Sequence, residues 1–168
     1  DKQLLYRVKI VNSKFQSAET FEFTGTSLLA KKYPCTVTGD FACDVDLIND
    51  IYKNIELYNQ DSSLENFENL KIKYKEWIEH TVNHFATEEE EMVKRGFFAY
   101  PFHKGEHDAN IEEIKAVWNN FEKSKDILKL KNYIEYDVIN WLINHIKSMD
   151  TVTARFFKTG MMGGCGMM

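Results

Sequence analysis

His84, Glu88, His103, His107, His145 and Asp150 are the residues whose types and spacing could do chemistry in this chain. They fall in three strings, His-x3-Glu, His-x3-His and His-x4-Asp. Residues four apart on an α-helix are turned by only about 40° and stand about 6 Å apart along its axis. His84 and Glu88 therefore point the same way from one helix, and His103 and His107 do so from another. Four imidazoles and two carboxylates converging in a core are costly to bury without compensation, and a metal supplies it. Imidazole with carboxylate is a borderline-hard ligand set suited to iron, manganese or zinc. The cysteines lack the spacing of a structural zinc cage. One metal rarely takes six protein ligands, and two carboxylates are enough to bridge a pair, so two metals are expected.

A buried histidine taken singly is more often a hydrogen-bonded core residue than a ligand. The set carries the metal reading, because Glu and His at helical spacing on facing helices are how bundle-core sites are built. Within the acidic run Glu88–Glu91 only Glu88 lies four residues from His84, so Glu89, Glu90 and Glu91 are expected on a solvated face. Asp150 does not follow from spacing. Five residues on an ideal helix turn by about 140°, so either its side chain reaches around or the helix carries a local π-bulge, which tends to occur at functional sites.

The elements that must position these residues read as helices from Asp44 onward. Leu47, Ile48, Ile51, Tyr52, Ile55 and Tyr58 form a stripe at spacings of three and four, which the polar segment 59–63 breaks. A second helix is expected over about 64–94, with Phe67, Leu70, Tyr74, Trp77, His84, Phe85, Glu88 and Met92 on one side. A third is expected over about 101–123, with His103, His107, Ile111, Ile114, Trp118 and Phe121 inward. The fourth runs over about 127–158 through Tyr133, Ile134, Val138, Trp141, Leu142, His145 and Met149. Short polar or Gly-containing links make consecutive helices alternate in direction, which predicts an all-α, up-down-up-down four-helix bundle over residues 44–158. Residues 1–43 read differently. Leu4–Val11 and Thr20–Thr24 partly alternate and carry β-branched or aromatic residues, so a partly extended N-terminal arm is expected there. Residues 159–168 are a Gly/Met tail whose sulfurs could attract Cu(I), though a flexible terminus is the plainer reading.

The 168 residues make one domain by length, 43% hydrophobic and 28% charged, with a formal net charge of −5. The two signs are interspersed, which leaves no electrostatic footprint for nucleic acid. No apolar run approaches the roughly 20 residues of a membrane span. Cys35, Cys43 and Cys165 are an odd number without a disulfide framework, which fits a reducing, cytoplasmic compartment. The chain begins at Asp1 without a Met, as expected of a processed form or a fragment of a larger signalling protein.

The segments HFATEEEEM (84–92), YPFHKGEHD (100–108) and WLINHIKSMD (141–150) resemble the hemerythrin family, particularly its bacterial hemerythrin-like domains, over about residues 44–158. Myohemerythrin is itself an example of the up-down-up-down bundle. The resemblance implies two iron ions joined by an oxo or hydroxo bridge, with dioxygen or a related small ligand as the partner. By resemblance His103, His107 and His145 would ligate one iron, His84 the oxygen-binding iron, and Glu88 and Asp150 would bridge. Phe85, Trp141, Leu142 and Ile146 would line a dry pocket. The family also has a histidine on its first helix for the second iron, and here no histidine precedes His80. Matching the stripes puts Asp44 at that place, or Val45 if the register slips by one. His80, one turn before His84, offers another substitute, as would water or an anion. A carboxylate or water in place of imidazole favours the ferric state, which works against reversible oxygen carriage. The leading expectation is a carrier or sensor module, not an enzyme. Its rivals are a di-iron oxidase or peroxidase, an iron-handling protein, and a structural bundle holding zinc or nothing.

Overall fold

Apolar residues recurring every three or four positions commit most of the chain to helix, and the computed structural model describes residues 4–24, 27–30 and 41–159. The Gly/Met tail expected beyond residue 159, together with Cys35 and Cys165, lies outside the described residues. Helix α1 is Phe41–Gln60, starting three residues before the expected Asp44, with Val45, Ile48, Ile51, Ile55 and Tyr58 buried. Helix α2 is Leu64–Lys94. Ser63 caps it, its Oγ accepting from the Asn66 N–H at 3.2 Å, and Gly96 turns the chain away at φ +64. Helix α3, Tyr100–Ser124, carries Pro101 in its first turn, where a missing N–H costs nothing. It ends on Lys125 in the left-handed conformation.

The fourth helix, α4, covers residues 127–159 and is not uniform. Its α segments Ile127–Asn132, Val138–His145 and Thr151–Thr159 are separated by π-helical turns at Tyr133–Asp137 and Ile146–Asp150. Asp126 caps it by accepting from the Lys129 N–H at 3.1 Å.

Every residue expected inward on α2 is buried, with Thr81 added. On α3 the buried residue is Asn110, and Ile111 is only half-buried, because the inward positions step 103, 107, 110, 114. The α2–α3 seam is locked by Tyr74, fully buried, whose hydroxyl donates to the Ile114 carbonyl at 2.6 Å. Burial in turn pushes the Tyr74 phenol far above its usual pKa.

Three strands, β1 Leu4–Val11, β2 Ala18–Thr24 and β3 Ser27–Ala30, form an antiparallel sheet in that order. The third strand was not legible in the sequence. Ile10 and Phe21 from the sheet join the bundle core. Between β1 and β2, Asn12 accepts from the Phe15 N–H through its carbonyl and from the Gln16 N–H through Oδ1, both at 2.9 Å. That turn holds Phe15 at φ 58, with its ring edge-on to Phe157 at 4.8 Å.

Leu70 is fully buried whereas Leu64 is 76% exposed. Leu70→Ala should cost about 2–5 kcal/mol of unfolding free energy. Leu64→Ala should change it by less than about 0.5 kcal/mol. Chemical denaturation of the two variants checks the difference.

Candidate metal centre

Helix α3 offers His103 and His107 one turn apart, both fully buried. Helix α4 brings His145 and Asp150 to the same place, and α2 brings Glu88. One ligand atom from each of these five residues lies within 4.8 Å of all the others. Asp150 reaches the cluster through the π-turn Ile146–Asp150, in which the Thr151 N–H bonds to the Ile146 carbonyl five residues back. The widened turn takes up one residue, so the His-x4-Asp spacing presents one face. Of the two routes the sequence left open for Asp150, the helix contains the bulge.

The ring nitrogens are arranged as ligands are. His103 Nε2 and His107 Nε2 each lie 3.2 Å from His145 Nε2. Metal–nitrogen bonds of about 2.1 Å set neighbouring ligand atoms roughly 3.0–3.4 Å apart. The opposite ring nitrogens face acceptors. His103 Nδ1 lies 2.9 Å from Thr153 Oγ1, whose own hydroxyl donates to the Met149 carbonyl, so His103 Nδ1–H is the donor. His145 Nδ1–H donates to Glu106 Oε1 at 3.2 Å, whereas His107 Nδ1 faces Glu89 Oε2 at 3.7 Å, too far for a hydrogen bond. An imidazole that donates through Nδ1 presents a bare Nε2. Among the described residues Glu88 Oε2 and both Asp150 oxygens are buried without a hydrogen bond. Bare nitrogens and unsatisfied carboxylate oxygens facing one another fit a cation.

His84 stands at the edge of this group, its Nε2 2.8 Å from Glu88 Oε1. The two candidates for the missing ligand meet each other: Asp44 Oδ1 lies 3.3 Å from His80 Nε2, and Asp44 Oδ2 lies 3.3 Å from His84 Nδ1. Asp44, His80 and the expected ligand His84 all lie outside the five-residue group.

Protons answer to the same charges. Burial lowers the His84 pKa, but Glu88 and Asp44 outweigh it and push the group up to about 9. Burial likewise lowers His145, and Asp150 reverses the sign. Burial alone would raise Asp150, yet His145 and His103 hold it well below the usual carboxylate range. Glu88 is pushed up by burial and by Asp150, and His84 and His107 bring it below its ordinary value.

Aromatic rings wall the cluster. Phe85 stacks on His107 with centroids 3.8 Å apart, and Trp141 stacks on His145 at 4.5 Å. Behind them Phe85, Trp141 and Leu142 line a cavity of about 40 Å³ with Asp44, Thr81 and Asn110 on its wall. Ile146, expected there too, is not part of that lining.

A bacteriohemerythrin of Aquifex aeolicus (strain VF5) is 37% identical over 73 residues, 44% of this chain and 56% of that protein. Those of Methylococcus capsulatus and Stenotrophomonas maltophilia are 32% identical over 73 residues and 33% over 82, covering 54% and 50% of their own lengths. Over the stretch they match, the chain is similar to bacteriohemerythrins. The chain spans about half the length of the curated relatives it matches. No family profile matches it, and no solved structure does.

One expectation for the site needs correcting. Glu89 is not simply a solvated residue: it faces His107 Nδ1 and pairs with Lys104 Nζ at 3.2 Å. Glu106 and Thr153 were also missed. The available signal was position, since Glu106 precedes His107 by one residue and Thr153 follows Asp150 by three. Glu90 remains exposed, and Glu91 pairs with Arg95.

Groups that orient ligating histidines are worth roughly 10–100-fold in metal affinity. Glu106→Ala should weaken metal binding within that range, and Glu90→Ala should leave it unchanged, as read by competition with a chromophoric chelator.

In the metal-free protein His84, raised from 6.5 to about 9, stabilises the fold fully below pH 6.5, a contribution lost as pH rises through 9. Glu88 and Asp150, both lowered, contribute above the ordinary carboxylate range and cease to as pH falls. Thermal melts of metal-free protein should therefore show lower stability above pH 9 than near pH 6. Metal uptake at neutral pH should expel at least one proton per chain, from His84, measurable with an indicator dye in weak buffer.

Proposed function

We propose that this chain holds a pair of iron ions, oxo- or hydroxo-bridged, and takes up dioxygen or a related small ligand as a carrier or sensor module, not as an enzyme. The observation that carries the reading is that His103 Nε2 and His107 Nε2 each lie 3.2 Å from His145 Nε2, with the outer nitrogens of His103 and His145 turned to acceptors. In this assignment His103, His107 and His145 hold one ion, His84 belongs to the other, and Glu88 and Asp150 serve both. The names of the matched relatives support it. The iron would supply an open coordination position and one-electron chemistry at each ion. The protein's own contribution is geometric and dielectric. Thr153 and Glu106 fix which nitrogen of His103 and His145 faces inward, while Phe85 and Trp141 keep water from the ligand rings.

The proposal extends to the layout. About residues 44–158, within the helices as observed from Phe41 to Thr159, form the up-down-up-down bundle, with an N-terminal arm before it and a tail after it, within a cytoplasmic protein that binds no nucleic acid. No helix among the described residues is long and apolar enough to cross a membrane. A di-iron oxidase, peroxidase or iron-handling role is the second reading. The observation favouring it is Asp44, where the family has a histidine.

Protein from iron-replete growth should contain two metals per chain, mainly iron. The reduced form should gain a charge-transfer absorption in air that disappears under vacuum. His107→Ala and His145→Ala should each empty the site and lower the melting temperature. A consistent single zinc per chain would sink the reading, and irreversible oxidation with peroxide consumption would turn it to the second.

A further inference from the structure

The carboxylate of Asp44 is clasped between two histidines of α2 that stand one turn apart. One oxygen faces His80 Nε2 and the other His84 Nδ1, each at 3.3 Å. On the opposite side of the His84 ring, Nε2 meets Glu88 Oε1 at 2.8 Å. The two nitrogens of an imidazole direct their lone pairs away from each other. A cation held on His84 Nε2 therefore lies across the ring from Asp44. The histidine–carboxylate–histidine clasp is not a compact ligand set, since each Asp44 oxygen serves a different ring, and none of its three residues is in the group of Glu88, His103, His107, His145 and Asp150 found among the described residues. Asp44 is buried at 8% exposure, so its carboxylate has taken an interior position that these histidines occupy with it.

We propose that Asp44 is a positioning residue for His84 and not a metal ligand, so that the two metal positions are unequal. The inference rests on the two-metal reading above. The first position has three imidazoles and two carboxylates. The second has His84 and the same two carboxylates, with its remaining positions left to water or an added ligand. His80 occupies the far oxygen of Asp44 and so fixes which oxygen His84 meets.

The test uses cobalt(II) as probe on the metal-free full chain, followed by its absorption and by paramagnetically shifted proton resonances. The wild type should bind one cobalt tightly and a second at least about tenfold more weakly. Asp44→Ala should weaken the second step by about a further tenfold or more, in the range for lost histidine-orienting groups, and leave the first step within twofold. Asp44→Asn keeps an oxygen that accepts from an Nδ1–H but is a poor ligand, so it should restore the second step to within about threefold of wild type. The exchangeable Nδ1–H resonance of His84 should be present in the wild type and Asp44→Asn, and lost in Asp44→Ala.

If Asp44→Asn loses the second cobalt as completely as Asp44→Ala, Asp44 is a ligand and the inference is wrong. If Asp44→Ala binds both cobalt ions as the wild type does, or the wild type binds both equally, it is also wrong, with the two-metal reading intact. A wild-type chain that never takes up a second cobalt overturns that reading and the inference together.

Discussion

Glu88 and Asp150 place two carboxylates where water does not reach, and an ion left uncompensated in such a place costs several kcal/mol. Much of the surrounding structure follows from supplying positive charge to them. Without a cation, protons do so, which is why His84 and His145 are raised while Asp150 is lowered. With a cation, those protons must leave and the rings must present bare nitrogens. The same rings serve both states because the far nitrogens of His103 and His145 face fixed acceptors at Thr153 and Glu106, while that of His107 faces the Glu89 carboxylate at 3.7 Å. Glu89 is in turn neutralised by Lys104, which also pairs with Asp108 at 2.9 Å. Charge compensation thus runs outward in steps from the buried pair to the surface.

The packing around the cluster has a matching logic. Phe85 and Trp141 lie flat on His107 and His145, which keeps water off the rings without offering a competing hydrogen bond. On another side, the β1–β2 turn brings Phe15 edge-on to His103 at 6.3 Å. A bulky residue at φ 58 is strained, and the turn tolerates it because Asn12 binds the backbone on both sides of the kink. The sheet is therefore no detached appendage. Its tip packs beside a site histidine and against Phe157, whose ring also lies under the Arg95 guanidinium at 4.7 Å.

What was legible in the sequence follows from which signals are periodic. The pairs His84/Glu88 and His103/His107 share their faces because an ideal helix makes them do so, and the buried side of α2 follows the same rule residue by residue. Asp150 was ambiguous because a π-turn changes the rule locally. The second π-turn, Tyr133–Asp137, left no trace in the pattern. Glu89 was misread because an acidic run on a helix looks solvated, and a carboxylate at the margin of a site looks the same in sequence. Asp44 was expected as the next inward position of the α1 stripe, and it is buried there. That it meets the outer nitrogen of His84 depends on side-chain direction, which spacing does not encode. The strand pairing of β3 depends on contacts between short segments, where local propensity is weak.

The π-turn at Ile146–Asp150 also changes how residue number relates to direction in α4. An ordinary turn accepts an added residue only by rotating everything beyond it by about 100°. Here the extra residue is absorbed in a wider loop of backbone, and the Ile146 carbonyl takes both the Thr151 N–H and, at 2.7 Å, the Thr151 hydroxyl. Thr153 beyond the turn consequently remains in phase with His145 before it, and the outer support of His103 survives along with Asp150. The turn works as a phase corrector. A helix one residue shorter at this point, wound as plain α, would present the same inward face, so for this stretch the conserved quantity is the angle between the ligands and not their count along the chain.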